Sequence, residues 1–191
     1  MKKILLLVIA IFAGGVFAVP SHAQEMPKAA AAPKPAPGAA EAVLQQWDDI
    51  GRKLNAMAED FPEDKYDYKP TPTVRSFAER LIHAAHANDF FTDTLLGKKM
   101  PDMDDPKRDQ FKSKAEVVAF VKKSFADGAA AIKAKGDKGM STLVVDPFSN
   151  QQTEIRDFAY DFVEHSGEIY GQLTVYYRVA GSVPPESRPK K

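Results

Sequence analysis

Imidazole is the side chain best suited to hold a divalent metal or to move a proton near neutral pH. The sequence offers few of them. Of its four histidines, His22 lies close to the start of the chain, and the others are His83, His86 and His165. His165 falls on a stripe of Phe158, Phe162, His165, Ile169, Gln172 and Tyr176, spaced at alternating steps of four and three. That spacing places the whole stripe on one face of a helix. A neutral imidazole on such a face needs a hydrogen-bond partner or a metal, because an unsatisfied buried polar group costs about 1–3 kcal/mol. Spacing alone leaves both readings of His165 open, a satisfied core histidine and a member of a site. His83 lies off the main stripe of its own segment, on a mixed face with Ala87, Phe90 and Thr94. His86 points further out and reads as a surface residue.

Several kinds of chemistry have no counterpart in this pattern. Di-iron bundles need Glu-x-x-His pairs on two helices, and there are none. His-Glu-x-x-His and Gly-x-Ser-x-Gly are absent as well. Ser166 beside His165 forms no nucleophile–base pair, since adjacent helix residues point about 100° apart. The lysine-rich "GKK" and "KAKGDKG" are short and read as solvated loop ends.

The elements that must position the histidines follow from periodicity. Val43, Trp47, Ile50, Leu54, Met57 and Phe61 form one helical stripe, ending before Pro62. A second helix opens at Ser76 with Glu79 three residues on, a capping box. It carries Phe77, Leu81, Ala84, Asn88, Phe91 and Leu95 on one face and closes at Gly97. A third repeats the box at Ser113 and Glu116, presents Val118, Val121, Phe125 and Ile132, and ends before Gly136. The fourth is expected from near Asn150 to about Ala180, capped by Gly181 and stopped by Pro184-Pro185. Gly167 and Gly171 lie inside it, where each costs about 1 kcal/mol relative to Ala. Their shared face has two readings, tight packing within the molecule or a close homodimer contact. "STLVVDPF" is the single strand candidate. The expected fold is all-α, a four-helix bundle with long loops after helices one and three.

The chain has 191 residues and opens with Met1-Lys2-Lys3, an apolar run to about Val19, and Ser21-His22-Ala23. This pattern predicts a signal peptide over 1–23, cleaved after Ala23, with an uncleaved anchor as the alternative. The expected localisation is export from a bacterial cell, to the periplasm or beyond, with no stable membrane span after cleavage. Residues 24–40, rich in Ala and Pro, read as a flexible linker, and 41–188 as one domain. With no cysteine there is neither a disulfide nor a lipidation site at the cleavage point, so stability must come from the core. Basic and acidic residues number 26 each, and removal of Lys2 and Lys3 leaves a near-neutral chain. That balance lacks the basic footprint of a nucleic-acid binder.

Three stretches, "FPEDKYDYKP", "SFAERLIHAAHAN" and "HSGEIYGQLTVYYRVAGSVPPESRP", make the segment from about Val43 to Arg188 resemble the DinB-like family. The resemblance implies a four-helix bundle holding a divalent metal, zinc or nickel, on three histidines. One comes from the second helix, and two come from the fourth, four residues apart. Some members act as thiol-dependent transferases or isomerases. Transferred to this sequence, the ligands fall on His83, His165 and Ile169. Isoleucine binds no metal, so the resemblance implies a degenerate site in which the metal is weakly held or absent. Glu168 is the nearest donor to complete it, with His86 second. His86, Tyr170 and Gln172 are expected to line a ligand cleft. The leading expectation is an exported domain without catalysis, binding a small molecule or a protein partner or serving a structural role. The alternative is a metal-dependent hydrolase or transferase using His83, His165 and Glu168.

Overall fold

The computed structural model describes residues 34–189. The predicted signal peptide and its cleavage point, and residues 24–33 of the predicted linker, lie outside them. Within the described residues, helix α1 spans Ala39–Asp60, α2 Phe77–Leu96, α3 Lys114–Met140 and α4 Ile155–Val179. No helix among the described residues is long and apolar enough to cross a membrane. The linker expected to reach residue 40 yields to α1 two residues earlier, because Ala40 is buried against the bundle and its N–H donates to Asp137.

The apolar stripes became the core. Every member of the α1 and α2 stripes is buried, and Trp47 sits at the centre with its indole N–H donating to the Phe125 carbonyl at 2.9 Å. In α3 the stripe is shifted by one residue at its start, Val117 being buried where Val118 was expected. In α4, Leu173 takes the buried slot and leaves Gln172 exposed.

The ends of the helices follow their local chemistry. Both halves of the Ser76/Glu79 box form, whereas at α3 only Ser113 caps and Glu116 turns instead to the Lys112 amide. Gly97 and Gly181, at φ 63° and 79°, close α2 and α4 with paired Schellman hydrogen bonds, Lys98 N–H to Asp93 and Ser182 N–H to Tyr177. Gly136, at φ 59° and ψ −179°, breaks α3 where the sequence placed its end, and one short further turn follows. The strand candidate is half of a hairpin, β1 Leu143–Val145 paired antiparallel with β2 Gln152–Glu154. The fourth helix therefore starts at Ile155 rather than near Asn150, since residues 152–154 spend their hydrogen bonds on β1.

Pairwise contacts define the topology. Phe61 stacks on Phe77, Phe91 meets Phe158 and Phe162, and Met57 accepts a hydrogen bond from Tyr177. These and the Trp47–Phe125 contact place α1 and α2 diagonally across the core, each flanked by α3 and α4. The sequence of pairs makes α2 and α3 parallel. Joining two parallel neighbours requires a crossover, and residues 97–113 supply it.

Two of the stretches behind the family resemblance act in this scaffold rather than in a site. In "FPEDKYDYKP", Tyr66 is buried against Phe77 and its hydroxyl donates to the Ala58 carbonyl, plugging one end of the bundle. In "VPPESR", Arg188 forks Asp60 and the Glu186 carboxylate accepts from Arg52 at 2.6 Å, so the chain after α4 is clamped onto α1. Arg188 accordingly holds the Asp60 carboxyl below the usual range.

Candidate functional site

His83 and His165 meet across the α2–α4 interface. Their ring centroids are 5.1 Å apart and nearly perpendicular. The helices place them there because α2 and α4 run antiparallel, with Phe77 beside Tyr176 at one end and Phe91 beside Phe158 at the other. His165 is half-buried. Burial, reinforced by the neighbouring His83, pushes its imidazole below the ordinary histidine range, so it is neutral at pH 7.

His83 has a partner that the sequence gave no means of finding. Its Nδ1 lies 2.9 Å from Asp105 Oδ1 and 3.1 Å from Oδ2, and Asp105 also accepts from Arg75 at 3.0 Å. Asp105 belongs to the crossover, 22 residues away along the chain, in a stretch without periodicity. A carboxylate accepts, so Nδ1 carries a proton, and in the neutral tautomer the lone pair lies on Nε2.

His86 is not the surface residue that helical geometry suggested. It is 7% exposed, because the crossover folds over it, and its Nε2–H donates to the Asp102 carbonyl at 2.8 Å. Both α2 histidines thus tether the crossover to the helix.

The three imidazoles open into a cavity of about 380 Å³ between α2, α4, the crossover and the hairpin loop. Phe90, Phe158 and Phe162 form its apolar wall, and Phe148 from the hairpin loop hangs over it, 5.5 Å from Phe90 by ring centroids. Asp105, Asp146 and Asp161 supply its charged groups. Burial opposes the charge on Asp146, yet hydrogen bonds from Ser149 and the Phe148 and Ser149 amides hold its carboxyl below the usual range. Asp161 is pushed upward by burial and by Asp146, Asp157 and Glu164.

The remaining expected site residues stand elsewhere. Glu168 Oε2 is 4.0 Å from His165 Nδ1, beyond hydrogen-bonding reach, and its side chain is 60% exposed. Three residues along a helix bring it to the same side as His165 but leave its carboxylate in solvent. Tyr170 faces α1, its ring under the Lys53 ammonium at 6.0 Å, and Gln172 points to solvent; neither lines the cavity. Ile169 is 1% exposed and packs in the core. Among the described residues, no group of three or more His, Cys, Asp or Glu side chains is placed to hold a metal ion. The donors present therefore do not fit a three-ligand centre: Asp105 is committed to His83 and Arg75, and Glu168 does not converge.

The model of the DinB superfamily matches residues 46–173, which spans all four helices and both histidines of the interface. This chain belongs to the DinB superfamily. Its fold is also that of known DinB-like structures. A DinB-like protein from Bacillus cereus superposes with a TM-score of 0.64 at 19% identity, covering 76% of this chain and 95% of that one. YfiT from Bacillus subtilis, described as a probable metal-dependent hydrolase with an unusual four-helix bundle topology, gives 0.59 at 14% identity, covering 78% and 93%. A conserved protein from Enterococcus faecalis gives 0.53 at 12% identity, covering 75% and 98%. No curated protein matches the sequence. Within this DinB domain, the missed residues are Met103, Asp105, Asp146, Phe148 and Asp161, four of which sit on connections where no repeat marks them. Asp161 is the exception. It lies three residues after Phe158 and four before His165, a spacing that puts it beside them on the helix.

Proposed function

We propose that this chain is an exported DinB domain that binds a small molecule in the cavity between α2 and α4, without a resident metal centre. The observation that carries the reading is the cavity itself. It has a size suited to small ligands, an aromatic wall and a few convergent polar groups. The donor geometry supports the second half of the reading, since Ile169 is sealed in the core and the Glu168 carboxylate stays in solvent. The amino-terminal pattern of a basic start, an apolar run and Ser21-His22-Ala23 supports export.

One observation favours the second reading, a metal-dependent hydrolase: His83 and His165 still face each other, and Asp105 orients His83 as a carboxylate orients a metal-binding imidazole. Metal analysis of protein purified without a histidine tag separates the two. The first reading expects well below one divalent ion per chain. A full complement of zinc or nickel, lost in His165→Ala, overturns it. Amino-terminal sequencing of the same sample, expected to start at Gln24, checks export.

A further inference from the structure

Most of the polar atoms around the cavity accept, and the one N–H of neutral His165 is the exception. Asp105 takes a hydrogen bond from His83 Nδ1, and the Asp102 carbonyl takes one from His86 Nε2, so in the neutral form of each ring the bare lone pair is on the other nitrogen. His86 is more than nine-tenths buried, lines the cavity, and its Nδ1 has no partner among the described residues. His165 also lines it, and neither of its ring nitrogens has a hydrogen-bond partner among the described residues. The Asp161 carboxylate at the mouth is likewise without a hydrogen bond or ion pair among those residues, whereas Asp146 is occupied by its own loop. No Lys or Arg lines the cavity, and the charge of Asp105 is already shared with Arg75. The remaining wall is aromatic, with the Phe148 ring 5.5 Å from Phe90 and 6.4 Å from Phe162 by centroid.

We infer that the cavity is a recognition site for a protonated amine carried on a small apolar body. This rests on the reading of the cavity as a ligand site and adds the ligand's chemical class. An ammonium group brings three donors and a charge to a lining that has lone pairs, carboxylates and aromatic faces but no cation of its own. An anion would meet three carboxylates against the single free N–H of His165. A neutral apolar molecule would leave the bare imidazole nitrogens unpaired, at a cost of about 1–3 kcal/mol for a buried acceptor.

Three probes of similar shape test this: 2-phenylethylamine, 2-phenylethanol and 3-phenylpropionate, titrated at pH 7 with EDTA present and followed by the imidazole and Phe ring NMR signals. The amine is expected to shift the His83, His86 and His165 resonances and to bind about ten-fold or more tighter than the alcohol, the ratio a single charge-assisted contact gives. The propionate is expected to bind more weakly than either. Asp161→Asn, an exposed substitution that spares folding, is expected to weaken the amine about ten-fold and leave the alcohol unchanged. Equal binding of amine and alcohol, or tighter binding of the propionate, overturns the amine inference while the ligand site stands. An amine affinity unchanged in Asp161→Asn does the same. Silence of the cavity signals to all three probes overturns the site and the inference together.

Discussion

Asp89 is half-buried on α2, facing His86, Asp93, Lys123 and Asp127. Burial pushes its carboxyl up to about 6, against 3.8 when free, and the Lys123 ammonium only partly offsets that. A folded value above the unfolded one means the folded state binds the proton more tightly. The stabilisation is therefore complete below about pH 4 and is lost as pH rises through about 6. His165 slopes the other way. Its depressed value contributes stability above the ordinary histidine range that is lost as pH falls through the folded value. The two overlap in the wild-type curve, so only a difference between variants isolates Asp89. Asp89→Asn is expected to raise stability at pH 7 by about 1 kcal/mol, after allowance for solvent screening, and to change little at pH 4. Urea unfolding at the two pH values checks this, and an equal gain at both would show that charge is not the cause. At this scale the sequence was least informative. His86 read as exposed because a helical wheel knows nothing of the crossover that folds over it.

At the scale of single helices most of the architecture was legible. Every position that the steps of four and three picked out in α1 and α2 is buried, though the core there also takes in Ala58, Ile82 and Phe90, and the glycine stops at 97, 136 and 181 marked real breaks. What failed was the start of α4, because three residues of hairpin carry too few alternations to compete with an adjoining helical stripe. The glycines inside helices divide by what surrounds them. A Cβ on Gly128 would stand 2.1 Å from Trp47 Cζ2, so this glycine is what lets α3 approach the central tryptophan. Around Gly167 and Gly171 a Cβ meets nothing within 4 Å, which removes tight packing within the molecule as their reason. Gly128→Ala is expected to destabilise by about 1–3 kcal/mol through overpacking, and Gly171→Ala to stabilise by about 1 kcal/mol through helix propensity. Chemical denaturation at two protein concentrations measures both. A loss in Gly171→Ala that grows with concentration would mean that a second chain packs on this face of α4.

The whole-molecule feature that creates the site is the order of the helices around the bundle. Because α2 and α3 are parallel neighbours, the chain must travel back along α2, roughly 30 Å for a helix of 20 residues. Residues 97–113 make that journey as an extended crossover, and only for this reason do Asp102 and Asp105 pass over His86 and His83. The sequence predicted long connections after the first and third helices and overlooked this one, since its length is set by topology and leaves no periodic trace. A crossover held by few groups forms a unit that opens more readily than the bundle beneath it. Its anchors include the His86–Asp102 hydrogen bond, the His83–Asp105–Arg75 cluster and, near its start, the Thr94 hydroxyl donating to Met100 Sδ, and Arg108 adds a pair to Asp67 at 2.8 Å near its far end. His86→Leu keeps the apolar volume and deletes one anchor. It is expected to speed hydrogen exchange of residues 98–107 about ten-fold, the effect of losing roughly 1.4 kcal/mol from local opening, while amides of α1 and α3 keep their protection. Exchange followed by mass spectrometry reads both regions at once. Uniform acceleration across all four helices would show that His86 supports the bundle as a whole and that the crossover is not a separate unit.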